Sequence, residues 1–129
     1  MKRPYGRAFD PPAPVVPVLA SAPGLEPTRP LEGKLDTGAD LCAIPEGVIA
    51  ELAVPPVGTV RAAGYAGELR EVAVYRVDIR IAGKAHRHVK ALSTRRPYAI
   101  IGRNVLRSYV LRLDGPKACL ELRRPQGSR

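Results

Sequence analysis

The sequence contains no tryptophan, a single phenylalanine and five tyrosines in 129 residues. So few rings leave no basic patch interleaved with aromatics, the arrangement that stacks nucleic-acid bases. Cysteine is equally scarce: only Cys42 and Cys119 occur, without CxxC spacing or a histidine close by. One disulfide is possible by arithmetic, but the expected state is two buried free thiols in a reducing cytoplasm. No run of 18 apolar residues occurs, so no transmembrane helix is expected. The start of the chain has a faint secretion-signal character, with Lys2, Arg3 and Arg7 ahead of an apolar run ending in Ala20-Ser21-Ala22. Asp10 and prolines 11, 12, 14 and 17 break that run, and a cytoplasmic location is expected instead.

Proline and glycine are plentiful, at 14 and 12 residues. They interrupt the chain too often for long helices and suit short strands joined by turns. The 45% hydrophobic content and the length are those of one folded domain. Lys and Arg outnumber Asp and Glu by 21 to 12, a formal charge of +9. Such a charge attracts phosphates and acidic surfaces whatever the fold. The basic residues are scattered, however, as with Arg76, Arg80, Arg112, Arg123 and Arg124. They read as a solvated basic surface, and neither nucleic acid nor membrane is an expected partner.

Along the chain, residues 1–13 are polar and proline-rich and read as an extended arm. Val15–Ala20 has strand character, and Arg29–Leu35 can return antiparallel to it. Leu41–Ile44 is a short apolar run. Pro45 then opens a short helix with Val48, Ile49 and Leu52 on one face, ended by Pro55-Pro56. From Val57 to Leu92 the pattern is β, with a change of alternation phase near Tyr75 and Arg76 that predicts a bulge or a change of packing environment. Gly83 marks a tight turn, and Gly64 to Gly67 a glycine-bearing hairpin tip. Tyr98–Ile101 is apolar, Gly102–Ser108 suits a short helix, and two alternating strands meet at Asp114-Gly115. The expected fold is mainly β: a single-domain closed barrel or sandwich with a flap hairpin and one or two short helices. The domain is expected to span residues 14–124, followed by a polar tail over 125–129.

The segment that carries chemistry is Asp36-Thr37-Gly38-Ala39-Asp40. A carboxylate at a sharp turn between Leu35 and Leu41 is expected to be partly desolvated, which suits it to acid–base work. Gly38 lets backbone or substrate approach closely, and the Thr37 hydroxyl can lock the loop against a neighbour. The competing reading is a turn aspartate that caps its own backbone. Asp-Thr-Gly occurs once, with no Asp-Ser-Gly, and Asp40 is too near in sequence to face Asp36 across a cleft. A paired carboxylate would therefore come from a second copy of the chain.

Taken with Ala99-Ile100-Ile101-Gly102-Arg103-Asn104 downstream, this loop resembles the retropepsin family of aspartic peptidases and its bacterial and cellular single-domain members. The resemblance implies an aspartic endopeptidase, a homodimer that hydrolyses extended peptides without metal or organic cofactor. It implies Asp36 as the catalytic residue, with Thr37 bonding across the dimer axis and Gly38 accepting substrate backbone. Ala39, Ile100, Ile101 and Gly102 would support the loop, Asp40 and Arg103 would form a structural ion pair, and Gly64, Tyr65, Ala66 and Gly67 would form the substrate flap. Tyr65 departs from the glycine-rich viral flap tip. Two rival readings stay open: an inactive peptide-binding and dimerisation module of the same fold, and a basic nucleic-acid-binding β-domain. His86 and His88, at i and i+2, read as a solvated strand face and not as metal ligands. Ser93 and Ser108 have no paired base for a serine mechanism.

Overall fold

The computed structural model describes residues 1–26, 28–63 and 66–126. The Val15–Ser21 strand (β2) pairs antiparallel with Arg29–Leu35 (β3), as expected, with Val15 opposite Lys34 and Ala20 opposite Arg29. Pro17 lies within β2 on an exposed position. Cys42–Pro45 (β4) leads into helix α1, Glu46–Leu52, whose buried Val48 and Ile49 face the core. Pro45 caps this helix, and Ala53 ends it in a left-handed conformation before the Pro55-Pro56 pair is reached. Gly58–Ala63 (β5), Leu69–Ile81 (β6) and Lys84–Thr94 (β7) form an antiparallel set. Ala82 and Gly83 both have positive φ in the two-residue turn from β6 to β7, the geometry hairpin twist demands.

Ala99–Ile101 (β8) is only three residues long, yet it decides the topology. It runs parallel to β3, pairs antiparallel with β4 at Ala43–Ile100, and so enters between two strands adjacent in sequence. The order β2-β3-β8-β4-β7-β6 closes on itself through pairing of β2 with β6. Closure leaves no free edge in that ring of strands. Its interior holds Ile44, Ile79, Ile81 and Ile101, each fully buried. Helix α2, Arg103–Leu106, follows and buries Val105 and Leu106.

A second sheet joins both ends of the chain. Lys2–Pro4 (β1) pairs with Cys119–Arg123 (β10), which pairs with Val110–Asp114 (β9). The Met1 amine donates to the Leu122 carbonyl at 2.9 Å, and the Leu122 N–H returns a bond to the Met1 carbonyl. Leu120 and Leu122 turn inward and join the main core, whereas Leu113 on β9 stays half-exposed.

The phase change near Tyr75 and Arg76 has a structural cause. Up to Val74, β6 is partnered by β5; from Asp78 it closes the barrel against β2. The bulge itself lies a little further on, where Asp78 opposes two residues, Arg87 and His88, and the extra residue belongs to β7. His88 there adopts φ +51, a conformation a non-glycine residue takes only when its surroundings hold it. The buried Asp78 carboxylate is what holds it, accepting from the His88 N–H at 2.9 Å, the Gly24 N–H at 2.9 Å and the Arg87 guanidinium at 2.8 Å. One carboxylate thus ties the β2–β3 connection to the β6–β7 bulge.

Burial pushes the Asp78 pKa up, but the bonds from Gly24, His88 and Arg87 outweigh it and hold the carboxyl below its ordinary value. A depressed folded-state pKa contributes stability above the unfolded value, and that stability is lost as pH falls through the folded one. Asp78→Asn is expected to cost about 1–3 kcal/mol at neutral pH and to flatten the loss of stability on acidification. Urea unfolding midpoints from neutral to acidic pH measure both; an unchanged profile would contradict this role.

Candidate active site

The residues read as catalytic lie where β3 and β8 end side by side. Parallel pairing runs from Gly33–Ala99 to Leu35–Ile101 and is extended by one more bond, from the Asp36 N–H to the Ile101 carbonyl at 3.0 Å. The missing Cβ of Gly33 leaves room for neighbouring side chains, since a Cβ there would meet Ile101 Cγ1 and Val18 Cγ1 at 2.9 Å. Ile101 is fully buried beneath the loop and Ile100 partly so. The apolar floor expected under Asp36 is therefore in place.

The loop is tightly wound. Asp36 Oδ1 accepts from the Gly38 N–H at 2.9 Å, and the Asp36 carbonyl accepts from the Ala39 N–H at 3.2 Å. The turn-capping use of aspartate is thus present, and it is compatible with the functional one because the second carboxylate oxygen takes no bond among the described residues. Asp36 is half-buried while Thr37 and Gly38 are exposed, so the loop offers its outer face to whatever lies opposite.

Helix α2 grips the loop from behind. The Arg103 N–H donates to the Ala39 carbonyl at 2.9 Å, and Arg103 Nη1 to the Thr37 carbonyl at 2.6 Å. Its other terminal nitrogen forms an ion pair with Asp40. Asp40 is thereby spent on Arg103, in a pair exposed enough to be worth little as stability. Its use is directional, since the guanidinium fork fixes the outer half of the loop against the helix. Gly102 is buried, and a Cβ there would come within 2.7 Å of the Leu41 carbonyl. Backbone passes backbone at this point, which is why glycine precedes the helix.

Two residues not read as part of the site complete it. Cys42 Sγ donates to Asn104 Oδ1 and accepts from the Gly102 N–H, both at 3.3 Å. Asn104 Oδ1 also accepts from the Cys42 N–H at 3.1 Å, and its amide donates to the Lys90 carbonyl at 2.9 Å. Asn104 thus ties α2 to β4 and β7. Sequence reading treated Cys42 as core filling and met Asn104 only as the end of a motif; no local pattern shows that the two meet. Cys119 is only half-buried, against the expectation of two buried thiols, because β10 lies in the outer sheet.

Of the flap segment, Gly64 and Tyr65 lie outside the described residues. Ala66 and Gly67 are exposed, and Gly67 has φ +80. They follow β5 and precede β6, whose last pair before the tip is Ala63–Leu69. His86 and His88 do not act together: His86 Nε2 contacts the Tyr109 hydroxyl at 2.7 Å, while His88 is exposed in the bulge. Burial, then the charges of Lys84 and Arg124, push the His86 pKa down.

With this geometry established, the chain can be set beside known proteins. The family described as retroviral aspartyl protease matches residues 17–114. Among solved structures the chain is similar to EIAV protease complexed with the inhibitor HBY-793, at 25% identity and TM-score 0.58. That match covers 74% of this chain and 86% of the other. A retropepsin-like aspartic protease from Rickettsia conorii matches at 17% identity and TM-score 0.62, over 95% of this chain and 88% of that one. Simian foamy virus (mac) protease matches at 19% identity and TM-score 0.54, over 70% and 91%. These last two show likeness of fold. A search of curated proteins finds no match.

Burial raises the Cys42 pKa to about 11, offset only in part by the bond from Gly102. Its thiolate is therefore scarce at neutral pH and shielded as well. A colorimetric thiol assay is expected to count one reactive cysteine per folded chain, Cys119, and two after denaturation. Fast reaction of Cys42 in the folded protein would show that the bracing beneath the loop opens readily.

Proposed function

The chain belongs to the retroviral aspartyl protease family, and from that premise we propose that it is an aspartic endopeptidase whose active form is a homodimer. The observation that carries this reading is the intact Asp36-Thr37-Gly38-Ala39 loop, built on an apolar floor with one half-buried carboxylate open to a partner. Each chain supplies one such carboxylate. Asp40 cannot serve as the second, because Arg103 holds it on the far side of the loop.

In the proposed dimer the two Asp36 side chains share one proton, since like charges at contact do not both ionise. The ionised carboxylate takes a proton from a water molecule as the water oxygen bonds to the scissile carbonyl carbon. The protonated carboxyl gives its proton to the carbonyl oxygen. The tetrahedral intermediate then breaks its C–N bond as the amide nitrogen receives the proton of one carboxyl and a hydroxyl of the intermediate gives its proton to the other carboxylate, so the dyad again holds one proton. Thr37 bonds across the two-fold axis, and Gly38 accepts a substrate N–H. The β5–β6 hairpin closes over an extended substrate held by main-chain bonds.

The test is cleavage of a diverse peptide mixture by purified protein from about pH 4 to about pH 7, the range that brackets a shared-proton dyad. Asp36→Asn is expected to reduce the rate about a thousandfold or more. Activity per chain should also fall on dilution, as dimers dissociate. Full specific activity from a monomer would overturn the shared dyad, and a folded dimer that cleaves nothing would identify a peptide-binding module.

A further inference from the structure

A few of the basic residues that look scattered in sequence are brought together by the fold. A groove of about 620 Å³ runs between the outer part of β7 and helix α2, and Arg76, His88, Lys90 and Arg107 line it. Arg76 and Lys90 are direct cross-strand partners in the β6–β7 register. Like charges directly opposed on a sheet destabilise it. Among the described residues none of Arg76, Lys90 and Arg107 has a carboxylate within ion-pair distance, and no acidic residue lines the groove. Three uncompensated cations on facing walls are costly for the fold alone and suited to an anionic ligand.

The groove also reaches the catalytic loop. Leu41 and Asn104 form part of its wall; the first follows Asp40, and the second bonds Cys42 on one side and the Lys90 carbonyl on the other. The groove therefore borders the elements that brace the loop. Among the described residues no Tyr, Phe or Trp lines the groove, so it lacks the aromatic platform typical of single-strand binding. Three cations also make too small a footprint to hold nucleic acid firmly at physiological salt. A peptide already held at the cleft needs only a weak second contact, because the tether supplies a high effective concentration.

We infer that this groove is an exosite for an acidic segment, rich in Asp or Glu, of the protein substrate. The inference rests on the peptidase reading. Binding of a fluorescein-labelled oligo-glutamate peptide to Asp36→Asn protein, followed by anisotropy at about 0.15 M salt, tests the groove without turnover. Replacing Arg76, Lys90 and Arg107 together by Gln is expected to weaken binding about tenfold. The same change at Arg80, Arg112 and Lys117, equal in charge but elsewhere, should leave it within about twofold. Equal loss in both sets, or no saturable binding, would overturn the site. Displacement of the peptide by a single-stranded oligonucleotide at lower concentration would assign the groove to nucleic acid instead. With native enzyme, an acidic tail on a cleaved peptide should lower KM and leave kcat unchanged, and the triple variant should abolish the difference; a tail without effect would overturn the exosite. Absence of any Asp36-dependent cleavage, with peptide binding intact, would remove the peptidase reading and reduce the groove to an acidic-peptide site.

Discussion

Everything in this fold that bears on chemistry depends on β8 entering between β3 and β4. The insertion forces the chain leaving β3 to loop over the end of β8 before it can return as β4, and that loop is Asp36 to Leu41. A three-residue strand can hold such a position only if backbone approaches backbone. It does so at Gly102, where a Cβ would meet the Leu41 carbonyl, while the missing Cβ of Gly33 leaves room for the Ile101 and Val18 side chains. The bond from the Asp36 N–H to the Ile101 carbonyl then fixes the carboxylate-bearing residue directly above the crossing. The position of Asp36 is a property of the sheet more than of its own turn.

Three kinds of interaction stiffen the loop from that base. Buried Ile101 supplies an incompressible floor. Arg103 satisfies the Thr37 and Ala39 carbonyls and holds Asp40. Asn104 and Cys42 join α2, β4 and β7 beneath. None of these closes the loop's outer face, where Thr37 and Gly38 remain exposed. A loop so rigidly held yet open presents its outer face at defined geometry, which the proposed pairing of two copies requires. The same braces form one wall of the basic groove.

The elements were largely legible. The β-branched run Val15–Ala20 and the returning Arg29–Leu35 predicted an antiparallel pair that forms, and Pro45 with Val48 and Ile49 announced a helix that forms there. The change of phase at Tyr75 and Arg76 correctly signalled that β6 passes from one packing partner to another. The bulge was not located, because its extra residue is on β7 and is paid for by Asp78 across the sheet. Cys119 was expected in the core, but local pattern does not say which sheet a strand joins, and β10 lies in the outer one.

By itself the sequence determined local conformation and chemical type. It specified where strands and turns fall, a lone Asp-Thr-Gly loop flanked by apolar residues, a second glycine motif, and a surplus of positive charge. Those follow from side-chain period and backbone freedom, which act over a few residues. Only the tertiary structure decided that β8 runs parallel to β3, that Asn104 reaches Cys42, that Asp78 holds the bulge, and that Arg76, Lys90 and Arg107 share one groove. Each of these joins residues far apart in the chain. Such pairings are selected by the closure of the barrel and the burial of its core, energies that belong to the whole molecule and leave no periodic trace in any one segment.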